Sequence, residues 1–154
     1  MLERCRAAIL VLVALALAAC GAEDGPWLAF DGGGFVFNYR TAEASYGFNV
    51  RPLRYLAPGT VLEAELENPA GGPPIVIDQE IRTPGLRYTF QSPPLTGIQA
   101  GKPYHASVSV LEAGSGKRLA RYERAFTSQA DQSWLPEKPL VVGPGYQPNP
   151  EAAQ

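Results

Sequence analysis

The sequence predicts an all-β fold, a sandwich of two antiparallel sheets built from about seven strands. Three observations lead to it. Apolar residues recur with a period of two from Phe35 onward. Turns rich in glycine and proline punctuate the chain at spacings of roughly 10 residues. No stretch beyond residue 35 sustains a helical period.

The first predicted strand places Phe35, Phe37 and Tyr39 on one face and Val36, Asn38 and Arg40 on the other. The second alternates Tyr46, Phe48 and Val50 with Ser45, Gly47, Asn49 and Arg51, until Pro52 stops it. After a Pro58-Gly59 turn, Leu62, Ala64 and Leu66 alternate with Glu63, Glu65 and Glu67, and Asn68-Pro69 ends the run. Gly71 to Pro74 form the next turn, and Ile75, Ile77 and Ile81 recur on one side of a segment reaching Arg82. Pro84-Gly85 leads into a short strand with Tyr88 and Phe90. The last pair reads as a hairpin: Tyr104, Ala106, Val108 and Val110 share a face, Ala113 to Gly116 form the loop, and Arg118 to Thr127 return. These strands place the domain at residues 35–128.

Both flanks differ in composition. Residues 1–19 have the parts of a secretory signal: Arg4 and Arg6 at the start, an apolar run from Ala7 to Leu17, and small residues before Cys20. Ala7 to Ala19 supplies 13 apolar residues, short of the roughly 20 that span a bilayer. Residues 20–34, with Glu23, Asp24, Gly25, Pro26 and the run Asp31 to Gly34, are predicted as a flexible linker, interrupted by Trp27, Leu28 and Phe30. Residues 129–154 form a proline-rich tail, with Trp134 and Leu140 to Val142 expected to pack on the sandwich.

Two resemblances follow from particular residues. Leu17-Ala18-Ala19-Cys20 resembles the lipobox of bacterial lipoproteins. That likeness implies cleavage before Cys20, acylation of its thiol, and a membrane association through the lipid. Gly21, where aspartate is associated with inner-membrane retention, implies an outer-membrane location facing the periplasm. Leu95 to Tyr104, followed by alternating Ala106, Val108 and Val110, is similar to the fibronectin type III and immunoglobulin-like pattern. This implies a seven-stranded immunoglobulin-like sandwich with Tyr104 as its corner tyrosine. An architecture of this kind hosts many unrelated functions.

Composition narrows the chemistry. Loss of residues 1–19 removes Arg4, Arg6 and Glu3 and leaves 11 basic and 14 acidic residues, a mildly acidic balance that argues against nucleic acid. On the lipobox resemblance Cys5 would leave with the signal and Cys20 would carry lipid, so the fold is expected to stand without a disulfide. His105 is the one histidine. It shares a strand face with Ser107 and Ser109 at roughly 7 Å steps, poor geometry for a hydrolytic triad, and zinc needs several such ligands. No phosphate cradle follows Gly32 to Gly34, and no aspartate-rich loop has calcium spacing, so no cofactor or metal is expected.

The carboxylates remain. Glu63, Glu65 and Glu67 form an acidic row, with Asp78 and Glu80 on the next strand. Alternation this regular marks a solvated face, offset by cross-strand arginines such as Arg82, Arg121 or Arg124. The same row can serve as a partner-docking surface, as can Tyr146 in the tail. The expected function is a non-catalytic binding or assembly module of the cell envelope, tethered through Cys20 and engaging an envelope protein. The alternatives are an envelope-polysaccharide binder using Tyr55 or Tyr146, and a carboxylate hydrolase joining the glutamate row to Asp78 or Glu80.

Overall fold

A computed structural model describes residues 25–153. The predicted signal peptide and Cys20 lie outside the described residues. Seven strands make two antiparallel sheets: β1 (Leu28–Asn38), β2 (Glu43–Pro52), β3 (Val61–Leu66), β4 (Ile75–Glu80), β5 (Tyr88–Gln91), β6 (Pro103–Leu111) and β7 (Arg118–Thr127). One sheet has the order β1-β2-β5 and the other β4-β3-β6-β7. The fold is all-β and sandwich-like.

The alternation read along the chain becomes the inner faces of the two sheets. Tyr46, Phe48, Val50 and Phe90 come from the three-stranded sheet; Leu62, Ala64, Leu66, Val108 and Val110 come from the four-stranded one, and all are buried. Burying this apolar surface is the main favourable term for a chain of this size. Aromatic rings knit the layers together. Within the three-stranded sheet Phe35 stacks on Tyr46 with centroids 4.8 Å apart, and across the layers Phe48 of β2 stacks on Phe126 of β7 at 6.1 Å. Tyr104 is buried, and its hydroxyl accepts from the Gln99 N–H at 2.9 Å, so the corner before β6 is tied to the ring that follows it.

β1 corrects the expected linker. It begins at Leu28, seven residues before the predicted first strand, and takes in the Asp31 to Gly34 run. The register slips between Phe30 and Gly33, where three steps on β1 face two on β2, a one-residue bulge. Gly33 is required there. A Cβ would lie 2.5 Å from Phe126 Cε1 and 2.7 Å from the Gly47 carbonyl oxygen. Gly33 thus lets the strand pass close over the aromatic core, whereas Gly32 and Gly34 have open space where a Cβ would stand.

The tail also departs from expectation. A three-residue 3-10 turn, Gln132–Trp134, is capped by Asp131 and turns Leu135 toward the core, leaving Trp134 59% exposed. Val141–Val142 (β8) pair with Gln147–Pro148 (β9) instead of lying flat on the sandwich, and Leu140 and Val142 stay largely exposed. The tail is nonetheless fixed: Val141 N–H donates to the Arg40 carbonyl at 3.1 Å, and Gln132 N–H to the Ile98 carbonyl at 3.0 Å.

This topology creates two poles. Leu28 pairs with Pro52, Val50 with Tyr88, and Val61 with Leu111. The start of the described chain therefore shares one pole with the loops at 53–60, 81–87 and 112–117. The loops at 39–42, 67–74 and 92–102, together with the tail, occupy the other.

Candidate functional site

The glutamate row lies on the outer face of the four-stranded sheet. Leu62, Ala64 and Leu66 point inward, so Glu63 and Glu65 must point outward, and Glu67 follows at the strand end. Register places Glu63 between Asp78 on β4 and Ser109 on β6, and Glu65 between Val76 and Ser107. Ser109 faces Arg121 on β7, and Ser107 faces Glu123.

Each glutamate of the row has a cation. Arg121 makes a two-pronged contact to Glu65 (Nη1–Oε1 3.2 Å, Nη2–Oε2 3.1 Å) and donates from Nε to Glu123 at 3.1 Å. Arg118 lies 3.7 Å from Glu63, and Lys102 lies 3.7 Å from Glu67. The second oxygen of Glu67 accepts the His105 N–H at 2.9 Å. The hydrogen bonds to Glu65, then to Glu123, raise the Arg121 pKa, so the guanidinium is a permanent charge. Arg121 was foreseen as the cross-strand partner. Arg124 instead lies over the Phe126 ring, 5.6 Å from its centroid.

A shallow depression of about 160 Å³ opens between these groups, lined by Glu65, Glu67, His105, Ser107, Arg121 and Glu123. Beneath the carboxylates, Ser107 and Ser109 are 4% and 1% exposed, and their hydroxyls have no hydrogen-bond partner. His105 is exposed and engages neither serine. Among the described residues, no group of three or more His, Cys, Asp or Glu converges as a metal set. Chemically, the face presents carboxylates already held by guanidinium and ammonium groups on an open sheet.

Tyr146 forms part of a different surface. It adopts a positive φ of 50°, and the Arg40 guanidinium lies 5.3 Å from its ring centroid, against the turn between β1 and β2. Its neighbours in the tail, Trp134, Leu140 and Val142, are also exposed. Tyr55 sits at the opposite pole. The candidates thus divide into an acidic sheet face, a tail-bearing pole, and the pole where the described chain begins.

That last pole holds what sequence reasoning missed. A cavity of about 520 Å³ is lined by Gly25, Trp27, Leu53, Arg54 and Tyr55. Arg54 lies 4.0 Å from the Trp27 ring centroid, and Leu53 N–H donates to the Trp27 carbonyl at 2.8 Å. Leu53, Tyr55 and Leu86 are 41%, 70% and 93% exposed. They come from two loops distant in sequence, and only the β2–β5 pairing brings the loops together.

No family model, curated protein or solved structure matches the chain.

Proposed function

We propose that the chain is a lipoprotein anchored through Cys20 in the outer membrane, facing the periplasm, and that it works as a non-catalytic binding or assembly module of the cell envelope. Its domain is read as a seven-stranded immunoglobulin-like sandwich. The three-plus-four sheet order and the Tyr104 hydroxyl bonded back to Gln99 support that architecture.

One observation carries the functional reading: the described chain begins at one pole, and its tail is fastened at the other. An anchor at Cys20 would then hold the first pole near the bilayer and turn Trp134, Leu140, Val142 and Tyr146 outward. Exposed apolar residues grouped this way suit a protein partner. The face bearing Glu63, Glu65 and Glu67 offers the same partner a charged flank. Hydrolysis is disfavoured because Glu63, Glu65 and Glu67 are each paired with a cation on an open sheet, and the shallow depression that takes in Glu65 and Glu67 includes neither Asp78 nor Glu80. A single glycan site built on both Tyr55 and Tyr146 is disfavoured because they occupy opposite poles.

Membrane fractionation with in-cell crosslinking, comparing wild type with Cys20→Ala, tests the proposal. Wild type should sediment with outer membrane and crosslink to a specific envelope protein from positions near Tyr146. Cys20→Ala should release a folded, uncrosslinked domain. An unchanged membrane association in Cys20→Ala would refute the anchor.

A further inference from the structure

We infer that the free edge of β4 is a docking site for an extended polypeptide segment with basic residues at alternate positions and apolar residues between them, added antiparallel as a further strand of the four-stranded sheet. The inference rests on the reading of the chain as a protein-binding module and names the kind of segment it binds, and where.

Register decides which backbone groups are free. Ile81 N–H donates to the Thr60 carbonyl at 2.8 Å, and on the other side of β3 Glu67 N–H donates to the His105 carbonyl at 2.8 Å. Successive residues of an antiparallel ladder turn their N–H and C=O to opposite sides. Leu62, Ala64 and Leu66 therefore bond toward β4, and their partners Gln79, Ile77 and Ile75 bond back toward β3. Val76, Asp78 and Glu80 turn their backbone groups the other way, where β4 ends the sheet. Among the described residues, no other strand or loop takes these groups up.

The inner flank of this edge is uncovered. Phe30 of β1 lies against Phe126 of β7 with ring centroids 6.2 Å apart, and Tyr46 of β2 against Tyr104 of β6 at 6.3 Å. Counted from that side, β1, β2 and β5 lie over β7, β6 and β3, and β4 has no strand opposite. Burial follows the same step: Leu62, Ala64 and Leu66 are buried, whereas Ile75 and Ile77 on the neighbouring strand are only half-buried. A segment laid beside β4 would cover them with its own apolar residues.

Charge selects the occupant. Val76, Asp78 and Glu80 share the exposed outer face, and among the described residues neither carboxylate has an ion-pair partner. Glu63 stands directly opposite Asp78 and lies 3.7 Å from Arg118, so the edge keeps an excess of negative charge. An added strand sets side chains about 5 Å from those of Asp78 and Glu80, where lysine or arginine stabilises and another acid repels. A second copy of the chain suits the edge poorly. Two-fold pairing about Asp78 sets that carboxylate against its own copy, and a shift to either side sets Asp78 against Glu80, or Glu80 against Pro74, which has no N–H to give. Edge charges of this kind keep like chains apart and leave the edge open to a segment of opposite sign.

The test uses the full chain in detergent micelles and two synthetic peptides of matched length, one alternating lysine with valine and the other glutamate with valine. With the lysine peptide at saturation, amide exchange read by NMR should slow by about tenfold at Val76, Asp78 and Glu80. Ile75, Ile77 and Gln79, already bonded to β3, should change little. The glutamate peptide should bind about tenfold more weakly. Asp78→Lys combined with Glu80→Lys should reverse that preference with the thermal transition retained. Val76→Pro removes an N–H that faces the free edge and leaves the ladder to β3 whole, so it should abolish the slowing at Asp78 and Glu80 without unfolding the sheet.

No binding of the lysine peptide, or binding without slowing at Val76, Asp78 and Glu80, would overturn the edge as the site. Equal binding of the two peptides would overturn selection by charge. Slowing that grows with protein concentration in the absence of peptide would make a second copy the occupant and overturn the proposal. Each of these results leaves the binding-module reading standing where a crosslinker near Tyr146 still captures a specific envelope protein in cells, and loss of that capture overturns the reading itself.

Discussion

The Tyr46 hydroxyl donates to the Glu67 carbonyl oxygen at 2.7 Å and so ties β2 of one sheet to the end of β3 in the other. Burial first, then the Glu67 carboxylate and Tyr104, raise the Tyr46 pKa, so the phenol keeps its proton and remains a donor. Tyr46→Phe keeps the ring stacked on Phe35 but leaves the carbonyl without this donor. A loss of about 1–2 kcal/mol in urea unfolding is expected, with an unchanged denaturant slope. A loss below about 0.3 kcal/mol would mean that water replaces the bond.

Among the described glycines, Gly47 has the least room for a side chain. A Cβ there would lie 2.1 Å from the Phe90 carbonyl oxygen and 2.9 Å from Gln91 Cα, both backbone atoms of the paired β5. Gly47→Ala should therefore part β2 from β5 and cost at least about 2 kcal/mol. Hydrogen exchange should locate the damage in Tyr88–Gln91, with the β6–β7 hairpin protected by comparison.

Ser109 predicts the opposite sign. Its hydroxyl is buried without a partner, so Ser109→Ala removes a desolvated polar group at the loss of little packing. Stability should hold within about 0.5 kcal/mol of wild type or rise, because no hydrogen bond is broken. A clear destabilisation, read as a lowered melting temperature, would identify a tightly held water beneath the glutamate row.

Asp131 gives the tail a pH dependence. Its carboxylate accepts from the Ser133 hydroxyl at 2.5 Å and from the Ser133 N–H at 2.9 Å, and these bonds lower its pKa. The lowered value means that the cap is fully formed above the ordinary aspartate pKa of about 3.9 and is lost as the pH falls through the depressed value. Exchange of the Ser133 amide should accelerate across that acidic window, beyond the intrinsic trend. Asp131→Ala should show the faster exchange at every pH.

Much of the fold could be read from residues alone, where one-sided burial imposes a strict alternation. The Leu62-Ala64-Leu66 face, the Tyr104-Ala106-Val108-Val110 face and the bounds of Arg118–Thr127 agree between sequence and structure. Asp31 to Gly34 misled because glycine has no side chain to show which face is inward. The reason for Gly33 is Phe126, 93 residues further along the chain. In the tail, a capped turn decided between Trp134 and Leu135, and hydropathy alone could not. On the acidic face, Glu63, Glu65 and Glu67 were evident, and so was Arg121. The grouping of Leu53 with Leu86 at the other pole was not, since their loops are brought side by side by the register of Val50 against Tyr88.

The number of strand passes has a mechanical meaning. Seven is odd, so a chain that runs up and down between the poles leaves from the pole it did not enter. The last pass, ten residues of β7, rises about 33 Å at ~3.3 Å per residue. The sandwich is thus a spacer of fixed height, which sets the distance between the loops at its two poles. Adding or deleting a single strand would fold the exit back beside the entrance.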